Sequence, residues 1–381
     1  MQKIHVGIVG SGFIGKRHLD AISRIPHARI TAVVDAMPQR AQEIAQQYGA
    51  QAFSSVQEML EKVQVDVVHN CTPTSMHYTI NCQIIEAGKH LYCEKPLALN
   101  AQEGEKLAEL IAHRPVANGV NLNYRMNAMV QEMRARVACG EAGRPFMVSA
   151  GYVQDWMMLE DDYDWRLAPE AGGESRAIAD IGSHLFDTSQ FVLGQRITAV
   201  CTSLIKVHDV RLHYEKNGET FSSEHGRLIG EIQVPNEDAA NILVRFEDGT
   251  QGVFQVSQIS AGHKNDMRLR FDFSRCSYEW QQENSDQLLI GQRGAPNQVL
   301  MREAGVLHPE AQRCCTLPAG HSEGWNDALY NAIHAFYGSI QSGTWKDGAV
   351  PYATIQEGAW IMKVIDACLR SSRSGCWTNV E

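Results

Sequence analysis

Near its start the chain runs from KIHVGIVG into SGFIGKRHLDAISRI. A short β-branched segment ends in glycine, and the apolar residues Phe13, Ile14, Leu19, Ile22 and Ile25 follow at helical spacing. The order is strand, turn, helix, and the turn reads Gly10-x-Gly12-x-x-Gly15. Each glycine meets a separate steric demand: the first permits a tight turn, the second lets backbone approach a pyrophosphate, and the third lets helix and strand pack closely. A second strand, RITAVVD, ends in Asp35, twenty residues past Gly15. An acid there accepts hydrogen bonds from both hydroxyls of an adenosine ribose and repels a 2′-phosphate, which favours NAD over NADP.

The alternation continues through PQRAQEIAQQYG, QAFSS, VQEMLEK, VDVVHNCTP, MHYTINCQIIEAG, HLYCEKP, NAQEGEKLAELIAHR and PVANGVNLN. Strands this apolar are buried on both faces, so the pattern predicts an α/β Rossmann domain with a doubly wound parallel sheet over residues 1–123. At 381 residues, 44% hydrophobic and 20% charged, the chain is long enough for a second domain, expected over residues 124–381.

Bulk properties exclude several classes of partner. A net charge of -10 and a pI near 5.8, with Lys and Arg scattered, leave no basic stripe for nucleic acid. There is no 18-residue apolar run and no targeting pattern at the N-terminus, so a cytoplasmic protein without a membrane partner is expected. The ten cysteines are spread along the chain, several in apolar runs, and read as reduced thiols. Cys314 and Cys315 are vicinal and lack zinc-knuckle spacing, so no metal is expected.

In a doubly wound sheet the ligand lies outside the carboxyl ends of the strands. Two such ends carry reactive residues: Thr72, Pro73 and His77 after the fourth strand, and Glu94 and Lys95 after the fifth. Further on, RAIADIGSHLFD places Asp180 and His184 four residues apart in otherwise small, apolar sequence. A helix from about Asp180 puts both on one face, with Ile181, Leu185 and Thr188 turned to packing. Three readings compete: a buried polar pair, two metal ligands, or an acid/base constellation.

With Gly10-x-Gly12-x-x-Gly15, Thr72-Pro73-x-x-x-His77, AGKHLYCEKPLA and DIGSH in this order, the chain resembles the Gfo/Idh/MocA family. That family consists of nicotinamide-dependent oxidoreductases acting mainly on sugars and cyclitols. The likeness extends through Asn123–Arg125, Asp164–Arg166, SQISAGHKN and the terminal helix QEGAWIMKVIDACLRSSRSG. It implies an α+β second domain with a large, open, mostly antiparallel sheet that often forms oligomers, here a homodimer or homotetramer. PFMVSAGYVQDW, ITAVCTSLIKV, GEIQVPN, AANILVRFEDGTQGVFQVSQIS, MRLRFDFS and CSYEWQQE read as its strands, with EDGTQG as a hairpin turn.

The resemblance also implies roles. Lys95 meets the reacting hydroxyl, and Asp180 and His184 reach the substrate, which selects the acid/base reading. Imidazole titrates where both states are accessible, so His184 is the expected general base, with Lys95 stabilising charge on the oxygen. Asp180 orients the imidazole, binds a neighbouring hydroxyl, or both. The candidate cofactor contacts are Gly10, Ser11, Gly12, Phe13, Ile14, Gly15, Asp35, Thr72, Pro73, His77, Glu94, Lys95, Asn123 and Arg166, and NAD is the expected cofactor. The candidate substrate contacts are Lys95, Tyr124, Trp165, Asp180, His184 and His321; for Tyr124, Arg125, Trp165 and Arg166, packing is the competing reading. The later motifs look most like the branch acting on glucosides, anhydrosugars and inositols. The expected activity is oxidation of a secondary hydroxyl of a small-molecule sugar or polyol; the alternatives are a glycosidase that cycles a hydride through NAD and a non-catalytic NAD-responsive sensor.

Overall fold

The alternation of the first 120 residues becomes one sheet in the computed structural model, which describes residues 3–214 and 226–381. Its elements are β1 (Ile4–Val9), α1 (Phe13–Ser23), β2 (Ala28–Val34), α2 (Pro38–Tyr48), β3 (Gln51–Phe53), α3 (Val56–Lys62), β4 (Val67–Asn70), α4 (Thr74–Glu86), β5 (His90–Cys93), α5 (Ala101–His113) and β6 (Asn118–Val120). The strands are parallel in the order β3-β2-β1-β4-β5-β6. Val6, Ile8, Val67 and Val68 have no solvent exposure, which is why β1 and β4 read as unbroken apolar runs. The strand order reverses at β1, whose last residue, Val9, pairs with Val34 on one side and Asn70 on the other. That register gathers Gly10, Asp35 and Thr72 at the switch point where such sheets bind ligands.

A 3₁₀ turn over Asn123–Met126 leads into α6 (Ala128–Ala138), β7 (Pro145–Val153), α7 (Pro169–Gly172) and α8 (Ser183–Leu193). Then come β8 (Ile197–Ile205), β9 (Val210–Tyr214), β10 (Leu228–Gln233), β11 (Ala239–Phe246), β12 (Gln251–Ser257), β13 (Asp266–Phe273), β14 (Cys276–Gln281), β15 (Gln287–Gln292) and β16 (Gln298–Met301). These are followed by α9 (Pro309–Gln312), α10 (Trp325–Ser342), α11 (Ile355–Ser374) and β17 (Thr378–Asn379). Nine strands form a mixed sheet in the order β16-β15-β14-β13-β7-β12-β11-β8-β17, parallel only between β7 and β12, and β9 pairs separately with β10. The GEIQVPN strand therefore belongs to the small ribbon. Along β11 and β12 buried and exposed residues alternate, as expected for a sheet with one covered and one open face. Phe254 on the covered face stacks on Phe186 of α8 at 6.1 Å.

The chain divides into two compact units, Met1–Asn123 with Leu329–Trp360, and Tyr124–Ala328 with Ile361–Glu381. The segment 329–360, read from sequence as part of the second domain, packs in the first unit. Asn118 accepts the Ile355 N–H at 2.8 Å, the Ala353 carbonyl accepts the Val120 N–H, and Gly358 lies so close to Val120 and Leu97 that a β-carbon there would stand 2.9 Å from Val120. Among the described residues no helix is long and apolar enough to cross a membrane.

Candidate active site

The turn after β1 is shaped by its glycines. Gly10 has φ of 86°, and a β-carbon on it would stand 2.7 Å from the Cys71 carbonyl oxygen; one on Gly15 would stand 2.1 Å from the Gly10 oxygen. Gly10 is thus fixed by backbone sign and crowding, and Gly15 by the contact of α1 with the turn. A β-carbon on Gly12 would meet no protein atom within 4 Å, so the turn stays open on that side. Gly12 is the N-cap of α1, no side chain caps it, and the first turn of the helix carries no acid of its own, so the positive end of the helix dipole favours an anion there. Room, backbone donors and dipole all fit a pyrophosphate.

Asp35 is buried beside this turn. Its Oδ2 accepts from the Ser11 N–H at 2.9 Å and the Ser11 hydroxyl at 2.7 Å; Oδ1 accepts from the Met37 N–H at 2.9 Å and lies 3.3 Å from Arg40 Nε. Burial pushes its pKa up, but these donors and the guanidinium together hold it below the usual carboxylate range. Ser11 therefore ties the glycine turn to the acid.

At the end of β4, Asn70 accepts from the Thr72 hydroxyl at 2.7 Å and donates to Asn81 of α4 at 2.8 Å. His77 is buried, with Nδ1 2.8 Å from the Pro96 carbonyl and Nε2 2.9 Å from the Thr72 carbonyl. Its ring braces the loop after β4 against the loop after β5. Burial lowers its pKa against the opposing pull of the two carbonyls.

Beneath Lys95 lies a buried polar chain. Glu94 Oε1 is 2.9 Å from His18 Nε2 and accepts from Asn121 Nδ2 at 2.6 Å, while Oε2 accepts the Lys95 N–H at 3.1 Å. His18 Nδ1 is 2.9 Å from His69 Nδ1, and His69 Nε2 is 3.0 Å from the Tyr337 hydroxyl. The contacts thus run unbroken from Tyr337 through His69 and His18 to Glu94. Burial raises the pKa of Glu94, but His18, Lys95 and Asn121 outweigh it and hold the carboxyl low; burial and then the neighbouring His18 hold His69 well below the ordinary histidine range. The chain locks the backbone that presents Lys95, which is itself half-buried.

In the second unit, Ile178–Gly182 forms a π turn that passes into α8, where the sequence predicted an ordinary helix from about Asp180. Two contacts shape this segment, one from far along the chain and one within it. Glu237 Oε1 accepts the N–H groups of Arg176 and Ile178 at 3.0 and 2.9 Å, pinning the start of the segment. At Gly182 a β-carbon would already lie 3.2 Å from Ile178, so only glycine leaves this turn uncrowded. Single π turns recur at functional sites.

The predicted pair spans this junction, with Asp180 in the π turn and His184 in the first turn of α8. Asp180 Oδ2 accepts from Gln258 Nε2 at 2.8 Å, and Oδ1 lies 3.5 Å from Arg166 Nε. Arg166 in turn bonds Asp164 Oδ1 at 2.9 Å and lies over the Trp165 ring at 4.3 Å, so it is held within its own unit by two acids and an indole. The His184 imidazole is buried and meets the Tyr124 ring edge-on, centroids 4.8 Å apart. The Tyr124 hydroxyl is 2.7 Å from that of Tyr152, so one donates to the other, and both lie within hydrogen-bond reach of Asn265 Oδ1. Burial pushes Tyr124 up to about 12 and raises Tyr152 well above its ordinary value, so both stay protonated around the imidazole. Arg125 forms a buried ion pair with Asp187, the packing alternative. His321 is exposed, and its carbonyl accepts from Arg302.

Residues 4–122 match the oxidoreductase family with an NAD-binding Rossmann fold, and residues 130–279 match the GFO/IDH/MocA C-terminal domain. The chain belongs to the Gfo/Idh/MocA family. It is an oxidoreductase, and the family's Rossmann domain binds NAD. Levoglucosan dehydrogenase of Pseudarthrobacter phenanthrenivorans is 24% identical over all of this chain and 99% of its own length. Inositol 2-dehydrogenase of Rhizobium meliloti is 31% identical over 53% of this chain and 59% of its own. Among solved structures, an inositol dehydrogenase homolog from Azotobacter vinelandii, complexed with NADH and myo-inositol, superposes with a TM-score of 0.86 at 27% identity, covering 99% of this chain and 98% of that one.

In this Gfo/Idh/MocA chain, the structure brings Ser11, Gly12 and Asp35 together in one unit and Tyr124, Asp180 and His184 together in the other. Sequence reasoning missed Tyr152, Gln154, Glu237, Gln258 and Asn265. Gln258 and Asn265 lie in SQISAGHKN, a stretch marked by its likeness to the family without a role for any single residue. Tyr152 lies near the end of β7 and Gln154, which donates to Asn265 Oδ1 at 3.3 Å, just beyond it, where the period-two pattern shows a strand but not which face gathers polar groups.

Proposed function

We propose that this chain is an NAD-dependent dehydrogenase oxidising a secondary hydroxyl of a sugar, glucoside or cyclitol to the ketone. The observation that carries the reading is that a carboxylate, Asp180, on the π turn and a buried imidazole, His184, in the first turn of α8 that continues it, stand four residues apart in a chain of an oxidoreductase family. When bound, NAD supplies the carbon that accepts the hydride. The turn Gly10–Gly15 holds the pyrophosphate, and Asp35 shares its acceptor positions between the ribose hydroxyls and Ser11. Thr72, Pro73, His77, Glu94, Asn123 and Arg166 complete or brace the cofactor contacts.

His184 takes the proton of the reacting hydroxyl as the carbon–hydrogen pair leaves as hydride, and Lys95 donates to the same oxygen to stabilise its developing charge. Asp180, fixed by Gln258 and Arg166, binds a neighbouring hydroxyl and favours the protonated imidazole. Tyr124, Trp165 and His321 contact the sugar. Apart from Lys95, the substrate and oligomer contacts belong to residues 124–381. The open face of the nine-stranded sheet, with exposed Leu243, Val253, Val299 and Met301, supports a homodimer or homotetramer, and a monomer in sedimentation overturns that part.

The test incubates the protein with NAD or NADP and a panel of levoglucosan, myo-inositol, scyllo-inositol, glucose and glucosides, following reduced nicotinamide by absorbance. NADH formation on at least one is expected, with little from NADP. Absence of reduced cofactor across the panel, with NAD binding shown calorimetrically, counts against the reading; aglycone release without NADH would replace it with the hydride-cycling glycosidase.

A further inference from the structure

We propose that Cys139, Glu141 and His308, in the second unit, form a binding site for a divalent cation of the zinc class. Cys139 and Glu141 lie in the turn that ends α6, and His308 is the residue before α9. One ligand atom from each lies within 4.8 Å of the others. His308 Nε2 is 3.3 Å from Glu141 Oε1 and 4.0 Å from Cys139 Sγ. Nitrogen, oxygen and sulfur ligands on one tetrahedral zinc ion stand about 3.4–3.6 Å apart, from their bond lengths. The nitrogen–oxygen edge is therefore already formed, and the sulfur, which now bonds the Arg136 carbonyl at 3.4 Å, closes by side-chain rotation of an exposed residue.

What lies behind the histidine distinguishes this cluster from a chance surface grouping. Glu132, on α6 and fully buried, accepts the His308 backbone N–H at 2.8 Å and faces Nδ1 at 3.0 Å. An ionised carboxylate only accepts, so it places the proton on Nδ1 and turns the lone pair of Nε2 towards Cys139 and Glu141. A carboxylate behind a histidine is the recurrent outer support of a metal ligand. Arg136 joins the two acids, 2.7 Å from Glu132 and 3.0 Å from Glu141. When a dication binds and the thiol proton leaves to solvent, three negative groups face one guanidinium and the metal, and the cluster is neutral. The mixed nitrogen, sulfur and oxygen donors select zinc, cobalt or nickel over magnesium or calcium, and three protein ligands leave a fourth position for water. The ion would join α6 to the segment that enters α9, two elements already in contact. Cys139 and His308 are 169 residues apart, so no sequence spacing announces the site.

The test titrates cobalt(II) into the full-length chain, follows the near-ultraviolet thiolate-to-cobalt absorption, and then displaces the cobalt with zinc. The band is expected at one equivalent, absent in Cys139→Ser and kept in Cys376→Ser, a substitution at another exposed cysteine. His308→Gln is expected to weaken binding at least tenfold and Glu132→Gln by about 10–100-fold. No band in the unsubstituted chain, a band that survives Cys139→Ser, or an affinity unchanged in His308→Gln overturns the site. Cys139 is exposed, so its serine variant folds and the test stands even if Glu132→Gln does not.

Discussion

The glycine turn of the first unit and the π turn of the second both hold a cluster of polar groups, by different means. The glycine turn and Asp35 come from one stretch of fewer than thirty residues, and its central contact is Ser11 on Asp35. The surroundings of His184 and Asp180 come from Tyr124, Tyr152, Arg166, Gln258 and Asn265, brought together by sheet register and a packed helix. The first depends on backbone shape, which local sequence dictates. The second depends on side chains whose neighbours are chosen by the fold. A backbone site therefore fails through glycine or the acid beside it, and an assembled site fails gradually, one support at a time.

The largest expected effect falls on the assembled region. His184→Ala should lower turnover by about 100- to 10,000-fold with NAD affinity unchanged by calorimetry; near-normal turnover removes the general base from it. Next is the cofactor region. Asp35→Asn should weaken NAD binding by about 10- to 100-fold, the range for lost charge-assisted hydrogen bonds. It should also raise the NADP to NAD preference, because the repelling charge is gone and Arg40 remains beside the position. If the preference does not move, Asp35 is a prop for Ser11 and not a reader of the ribose.

A smaller effect tests whether the assembled region is graded. Gln258→Ala removes one hydrogen bond to Asp180, and we expect kcat/KM to fall by about fivefold to tenfold. A loss as large as that of His184→Ala would mean that the turn collapses as a unit.

The smallest concerns acid stability. The pKa values of Asp35 and Glu94 are depressed in the folded state, so their contribution is present above the unfolded carboxyl value and is lost as pH falls through the folded one. Glu237, raised by burial, acts in the opposite direction, its protonation favouring the folded state as pH falls. Urea unfolding from pH 6 to pH 3 should show stability falling with pH, and Asp35→Asn should flatten that slope; equal slopes in the variant and the parent would remove Asp35 from the account.

Much of the first unit was legible: strand, turn, helix and acid follow from glycine sterics and apolar period, and the strand order agrees with the parallel reading. The packing of residues 329–360 onto it was not, since an amphipathic helix shows that it has an apolar face but not which surface covers it. Likewise the Asp180 and His184 pair was visible as spacing, whereas the π turn beneath it arises from Glu237, some sixty residues away. The EKP motif pointed to Lys95 without showing the chain of His18, His69 and Tyr337 below it, because a buried histidine in a β-strand reads like any other polar interruption.

By itself, then, the sequence determined the glycine cradle, its acid, the parallel sheet and the identity of the acid and imidazole, all set by backbone sterics, hydrophobic period or residue chemistry within a short span. Only the tertiary structure decided which side chains support them, where the C-terminal helices pack, and that Cys139, Glu141 and His308 meet. Such contacts depend on strand register and helix packing, which fix distances between residues that are far apart in the chain.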